Sequence, residues 1–329
     1  MMQINHDNTA QKSLLIAIPS FNDWEALEKL LILIDQAKFP QVTNLEVVII
    51  DDYSTRLIPD SLINQVYQQI QKVSILRLRR NLGHQRAIVI GLCYVYSHLK
   101  CDWVVVMDGD GEDNPFEIES LLLASDKAGN NQIIFAKRSK RSESRGFKFS
   151  YFGYKKLYRL LVGREISVGN FSLLPFSLLR NVVVVSEIWN HYSSGLQRSR
   201  IPYIEVGVPR SRRLAGQPKM NMVSLVTHGL SSIAVYGDIA GTRILLTTAI
   251  LLVLLLLVLC IVLLIRFFTN WGIPGWATYV SGFLILSLFQ LIFMGTIFSM
   301  MILSARNSFN FIPIRDYEHY VDQFFRINR

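Results

Sequence analysis

The chain of 329 residues carries 34 Lys and Arg against 25 Asp and Glu, a formal net charge of +9, yet only 18% of it is charged and 50% is hydrophobic. Soluble domains are nearer a quarter charged and disordered chains are poor in apolar residues, so neither class fits, and the apolar excess also argues against a basic nucleic-acid binder. Three cysteines, Cys93, Cys101 and Cys260, lack metal-ligand spacing and are too few for a disulfide framework, which points to a reduced, cytosol-facing body on a membrane anchor.

The opening segment MMQINHDNTAQKS has no basic region followed by an apolar cleavable stretch, so no signal peptide is expected. Apolar runs then alternate with helix-period stretches. Ser13–Pro19, Leu45–Asp51, Val73–Leu78, Asp102–Asp108 and Gln132–Lys137 read as strands. Trp24–Ala37, Pro59–Gln71, His84–His98 and Pro115–Ala128 read as helices. Alternation at this spacing predicts a parallel sheet covered on both faces, with ligands bound at the carboxyl ends of the strands. Acids collect there. Asp51 and Asp52 end the second strand, and Asp108, Asp110, Glu112 and Asp113 follow the fourth in the run DGDGED. Four acids in six residues repel one another unless a cation or solvent relieves them, and hard carboxylate oxygens suit Mg²⁺ or Mn²⁺. The competing reading is a solvated acidic turn capping the helix near Pro115. His84 and Gln85 open a helix after Gly83, where capping and packing is the expected role. His191 and His228 are too isolated to be metal ligands and read as structural.

The aromatic cluster Phe147–Tyr158, interleaved with Lys and Arg, suits a helix lying at lipid headgroups, within a basic segment over 137–165. Asn221–Gly241 reads as a juxtamembrane helix. Between Arg243 and Arg266 lie 22 residues without a charge, roughly 33 Å of helix and enough to cross a bilayer core. Uncharged sequence resumes at Trp271, is broken by Pro274 and Gly275, and runs to Ala305. The expected organisation is a body over 1–220, a juxtamembrane helix over 221–242, spans near 244–266 and 276–303 within 243–305, and a tail over 306–329. Arg210, Arg212, Arg213, Lys219 and Arg243 precede the first span, and Arg306 and Arg315 follow the second. The positive-inside rule puts both ends in the cytoplasm, with Arg266 dissenting.

Six motifs stand in order along the chain: IPSFND after the first strand, IIDDYS after the second, RRNLGHQRAIVIGL, VVVMDGDGEDNP, VGNFSLLP, and RRLAGQPKM before the membrane. In their order and spacing, and in the paired apolar helices, the chain resembles the membrane-anchored polyprenyl-phosphate glycosyltransferases of glycosyltransferase family 2. This is the dolichol-phosphate mannosyltransferase-like group, of the bacterial type with two transmembrane helices. The resemblance implies an α/β, Rossmann-like GT-A catalytic domain followed by juxtamembrane helices and a two-helix transmembrane hairpin. By position, it implies that Pro19, Phe21, Asp23 and Asp52 line the nucleotide site. Asp108 and Asp110 form the D-x-D element holding Mg²⁺ or Mn²⁺ on the donor diphosphate, with Asp108 also a donor contact and Glu112 an additional ligand. Arg138, Arg213 and Lys219 match basic positions that hold phosphates of donor and acceptor.

The implied reaction moves a sugar, with inversion, from a UDP- or GDP-linked donor to a polyprenyl (undecaprenyl) phosphate at the cytosolic leaflet. The setting implied is a bacterial inner membrane, with a multi-pass chain and both termini cytoplasmic. A phosphate monoester has a second pKa of about 6, so it is largely ionised at neutral pH and needs positioning more than a base. That matters because Asn170 stands where several relatives carry an Asp proposed as base; with Asp110 it is the residue assigned to the catalytic step. Tyr53 stands where Gly is usual, Arg56 where an acid is common, and Pro218 where Ser or Thr often sits. Two alternatives carry different expectations. A membrane scaffold with a degenerate domain would bind nucleotide without turnover. A polysaccharide synthase would carry Q-x-x-R-W and more spans, whereas LQRSRIPY has no Trp after its Arg. Whether the chain forms a homo-oligomer is left open.

The charge itself is unevenly placed. Residues 1–136 hold a net −6, whereas 137–164 hold +9 and 198–219 hold +5. The basic excess therefore lies in two stretches close to the apolar segments, where it can meet anionic membrane lipids and a lipid phosphate rather than nucleic acid.

Overall fold

The structure is a computed structural model and describes residues 12–138, 156, 158–163, 168–209, 211–216, 222–269, 275–307 and 311–327. They form two compact units. One draws on Met1–Ser144, Ile166–Val235 and Asn310–Arg329, and the other on Arg145–Glu165 and Tyr236–Phe309.

The first unit is built on eight strands: β1 (Ser13–Ser20), β2 (Asn44–Asp51), β3 (Ile70–Leu78), β4 (Trp103–Val106), β5 (Ile133–Arg138), β6 (Ser172–Pro175), β7 (Tyr203–Val208) and β8 (Val321–Arg326). They form one sheet in the order β7-β5-β6-β4-β1-β2-β3-β8. β1 to β4 run parallel, as does the β5–β7 pair; β6 runs antiparallel between β4 and β5, and β8 antiparallel to β3. The central strand shows why the sheet is covered on both faces. Leu14, Ile16 and Ile18 pack with Leu27, Leu30, Leu31 and Ile34 of helix α1 (Trp24–Gln36), while Leu15 and Ala17 enter the cluster on the other face. Each such aliphatic side chain contributes about 1.5–3 kcal/mol on full burial.

Two helices follow in the same unit. A single turn, α2 (Asp60–Ile63), lies between β2 and β3, and α3 (His84–His98) buries Ala87, Ile88, Val89, Leu92 and Cys93 against the second face. The helix expected over Pro59–Gln71 is therefore largely absent. The Asp35 carboxylate accepts the backbone N–H groups of Gln68, Gln69 and Ile70, which draws the chain out of helical geometry and into β3. Further on come α4 (Ile118–Lys127), α5 (Phe176–Val182), α6 (Tyr192–Arg198) and α7 (Met222–Val235). His191 is structural, as its isolation implied: its Nδ1 accepts the Ser194 N–H and caps α6. The cluster Phe147–Tyr158 lies almost wholly outside the described residues.

The second unit holds α8 (Gly237–Phe268) and α9 (Trp276–Asn307), packed on each other through Leu255, Leu259, Val262, Trp276, Ala277 and Leu284. Both are long and apolar enough to cross a membrane. Their hydroxyl side chains turn back onto their own helices: Thr247, Thr248, Ser287 and Thr296 each donate to the carbonyl four residues earlier. That arrangement satisfies a hydroxyl where water is absent. The first apolar helix begins earlier than expected, since 237–242 belong to α8 and only 222–235 form a separate helix.

The region after α9, expected as a C-terminal tail over 306–329, contributes a turn of helix, α10 (Pro313–Asp316), and then β8. β8 pairs with β3 from Ser74↔Arg326 to Leu78↔Val321, and the Phe324 ring lies tilted against Tyr94 at 4.8 Å between ring centroids. The sheet of the first unit is thus closed by residues that follow both apolar helices.

Candidate active site

The carboxyl edge of the sheet gathers the ends of β1 to β5 and β7 together with the start of β6. The antiparallel course of β6 decides what meets there. Trp103 pairs with Pro175 and Val106 with Ser172, so two residues beyond the ladder Asp108 comes opposite Asn170. Asn170 Nδ2 lies 3.5 Å from Asp108 Oδ1. The segment GNFSLLP is therefore a turn that leads into a strand, and the strand carries Asn170 to the D-x-D element.

The four acids of DGDGED have separate surroundings. Asp113 is buried and folds back to accept the Asp108 N–H at 2.9 Å, which closes the turn. Asp110 Oδ1 accepts the Glu112 N–H, while its Oδ2 lies 3.0 Å from Arg213 Nη1. Arg213 Nη2 lies 2.6 Å from Asp23 Oδ2, and its Nε donates to the Ala215 carbonyl. One planar guanidinium thus joins the residue before α1 to the second Asp of the motif. The segment bearing it is laid over the acidic turn by backbone bonds from Ser211 N–H to Glu112 O and from Leu214 N–H to Asp110 O. Gly111 makes this possible: its φ is +81°, and a Cβ there would collide with the Leu214 side chain. The helix beyond is capped by Asn114, whose carboxamide oxygen accepts the Phe116 N–H, and not by the acids.

His84 occupies the other side of Asp108. Its Nε2 stands 3.0 Å from Asp108 Oδ1 and 3.0 Å from Asn170 Nδ2, so imidazole and amide converge on one carboxylate oxygen. The amide's orientation follows from a backbone donor. Tyr192 N–H can only donate, so Gln85 Oε1 accepts it at 2.6 Å, and Gln85 Nε2 then donates to Asn170 Oδ1. Asn170 is left presenting its NH₂ group to Asp108. Partial desolvation opposes charge on His84, but the charge and hydrogen bond of Asp108, with Asp110 and Asp113 behind it, outweigh that and raise its pKa above the ordinary histidine value. His84 is thus a member of the site that its place at a helix start had assigned to capping. The available signal was its position just after β3, at the carboxyl edge where ligands bind.

On the β1–β2 side, Pro19 is buried with its carbonyl close to Gly109, and Phe21 is 40% exposed at the strand end. Asp52 is buried and accepts the Leu82 and Gly83 N–H groups at 2.7 and 2.8 Å, pinning the loop before α3. Burial raises its pKa, against the lowering effect of those two bonds. The Ser20 hydroxyl is buried with no hydrogen-bond partner among the described residues.

The structure therefore brings Asp108 to Asn170, and Asp110 and Asp23 to Arg213. No three His, Cys, Asp or Glu side chains converge as a metal cluster among the described residues. The backbone of Arg138 ends β5 at the carboxyl edge, and Lys219 lies outside the described residues.

A mostly parallel sheet with a D-x-D element at its carboxyl edge, followed by two long apolar helices, is the architecture of a GT-A glycosyltransferase with a candidate membrane hairpin. The model of Glycosyl transferase family 2 matches residues 15–184, just over half the chain, and the chain belongs to that family. It is 26% identical over 302 residues to the uncharacterized glycosyltransferase YkcC of Bacillus subtilis, covering 86% of each chain. Over 172 residues it is 23% identical to the undecaprenyl-phosphate 4-deoxy-4-formamido-L-arabinose transferase of Erwinia tasmaniensis, covering 52% of this chain and 50% of that one. Among solved structures, glucosyl-3-phosphoglycerate synthase from Mycobacterium tuberculosis, in complex with Mn²⁺, UDP-glucose and phosphoglyceric acid, matches with a TM-score of 0.51 at 14% identity. That match covers 71% of this chain and 81% of that one, and it is a likeness of fold.

Proposed function

We propose that this glycosyltransferase moves a sugar, with inversion, from a UDP- or GDP-linked donor to a polyprenyl phosphate at the cytosolic face of a bacterial plasma membrane. The observation that carries the reading is the pairing of the D-x-D acids with nitrogen groups at the carboxyl edge: the Arg213 guanidinium on Asp110 and the His84 imidazole on Asp108. Asp108 and Asp110 offer hard oxygens, and the guanidinium against Asp110 marks a place where a cation is favoured, so the residues fit Mg²⁺ or Mn²⁺. When bound, such an ion would stabilise charge developing on the leaving diphosphate as a Lewis acid. The named acceptor of the Erwinia relative supports a polyprenyl phosphate.

An acceptor oxygen attacks the anomeric carbon from the face opposite the leaving group. The carbon–oxygen bond to the acceptor phosphate forms, the bond to the nucleoside diphosphate breaks, and no proton has to be removed from an ionised monoester. Asn170, held with its NH₂ inward, orients rather than accepts a proton. Arg138, Arg213 and Lys219 are the cations proposed for the phosphates.

The course of the chain supports the topology. It leaves the sheet-bearing unit at Val235 and re-enters it at Asn310, with both apolar helices between. If both helices cross, the N-terminal body and the C-terminal strand lie on one side, and the basic residues flanking the spans favour the cytoplasm.

Purified full-length protein, incubated with UDP- and GDP-sugars, undecaprenyl phosphate and Mn²⁺, is expected to give an organic-extractable glycolipid, with none from Asp110→Ala. Nucleotide binding without any such product would overturn the reading in favour of a scaffold.

A further inference from the structure

We infer that Tyr53 is the stacking platform for the donor's nucleobase and that its strained backbone is retained for that purpose; the inference rests on the nucleotide-sugar reading above. Tyr53 has φ +64°, a left-handed conformation that bulky residues rarely adopt and that glycine takes without strain. Such conformations persist where surrounding bonds over-determine them, and they concentrate at ligand sites.

The surroundings of Tyr53 do over-determine it. Asp52 N–H donates to Ser20 O, Tyr53 N–H to Asp51 O, and Ser54 N–H to Asp51 Oδ1. Beyond it, Asn22 Oδ1 accepts the N–H groups of both Thr55 and Arg56, Asn22 N–H donates to Ser54 Oγ, and Trp24 Nε1 donates to the Arg56 carbonyl. The loop after β2 is thus fastened to the loop after β1 on both sides of the strained residue.

The side chain so held is out of keeping with its neighbours. Asp51, Asp52 and Ser54 are buried, whereas Tyr53 is 45% exposed. Its ring is backed by a cation, with Arg77 Cζ 5.9 Å from the ring centroid. Arg77 Nε lies 3.8 Å from Asp51 Oδ2, an ion-pair distance, and is buried with no hydrogen-bond partner among the described residues. A rigid phenol ring with a guanidinium behind it, at the carboxyl ends of β1 to β3 and next to Asp52, suits a flat aromatic ligand. Nucleobases bind aromatic side chains in this way whatever their sequence of hydrogen-bond groups. The ring's placement also explains why a residue disfavoured by its backbone stands in this turn.

The test uses the full chain in detergent, with titration calorimetry of UDP, GDP and inorganic pyrophosphate in Mn²⁺ beside thermal unfolding. Tyr53→Gly removes the ring and relieves the backbone, so its melting temperature is expected to match or exceed that of the wild type. Its affinity for the better-bound nucleotide is expected to fall about tenfold or more, with pyrophosphate binding unchanged. Tyr53→Asn, which also tolerates the left-handed conformation, should lose affinity in parallel, and Tyr53→Phe should retain it. Equal nucleotide affinity in wild type and Tyr53→Gly would overturn the inference while leaving the donor reading intact. A parallel loss of pyrophosphate binding would also overturn it, because the defect would then lie outside the base. A wild-type protein that binds neither nucleotide would overturn the donor reading and this inference with it.

Discussion

The guanidinium of Arg213 is the point at which stability and ligand binding oppose each other, and Arg213→Ala separates them. In the wild type its side chain is 18% exposed and each partner carboxylate, Asp23 and Asp110, is 21% exposed, with distances of 2.6 and 3.0 Å. Exposed ion pairs are worth about 0–1 kcal/mol, and breaking a buried one costs about 3–5 kcal/mol. A guanidinium bound to two mostly covered carboxylates falls between, at about 2–4 kcal/mol. For a domain of this size that lowers the melting temperature by roughly 4–16 °C. Because Mn²⁺ is proposed to bind Asp110, the ion and Arg213 compete in the wild type, and the ion alone relieves the acids in the variant. The melting-temperature rise on adding Mn²⁺ should therefore be larger for Arg213→Ala than for the wild type. Arg213→Lys, which keeps the charge and loses the fork, should fall between them. Differential scanning fluorimetry of detergent-solubilised protein with and without Mn²⁺ measures both effects. A variant that melts within 2 °C of wild type and shows the same metal shift would refute the reasoning.

Asp52 gives a pH signature. Its folded pKa is raised by burial above the ordinary 3.8, so protons bind the folded state more readily than the unfolded one, and its contribution to stability is fully present below 3.8 and declines as pH rises through the folded value. In melts taken upward from pH 3.5, the stability of wild type relative to Asp52→Asn should fall across that window, and a constant difference would contradict the assignment. Deleting residues 321–329 removes β8 and the partly buried Val321, Phe324 and Phe325, and should cost about 3 kcal/mol or more. Limited proteolysis should then cut the sheet-bearing unit faster, and unchanged resistance would mean that the strand contributes little.

Much of this molecule is legible along the chain because its signals are local. Strands β1, β2 and β4 are apolar runs, the last two leading into acids, and α1 and α3 carry the 3.6-residue period of a buried face. The stretch 59–71 shows the limit of that method. Its apolar spacing suits a helix, but the carboxylate that unwinds it belongs to Asp35. β6 is four residues long, too short for periodicity to report, and β8 is an amphipathic hexapeptide whose partner lies some 250 residues earlier in the chain. The candidate site divides in the same way. The D-x-D element can be read directly, whereas nothing near Asn170, His84 or Arg213 in sequence tells which acid each will meet.

By itself, then, the sequence determined the apolar helices, the acidic and basic halves, and the order of motifs that places the chain in its family. These follow from composition and spacing, which depend on neighbours a few residues away. Only the tertiary structure decided that Asn170 faces Asp108, that Arg213 spans Asp23 and Asp110, that Tyr53 holds its ring outward, and that the strand following the apolar helices completes the sheet. Those outcomes depend on strand direction and register, which bring distant residues within hydrogen-bond reach and which no local pattern encodes.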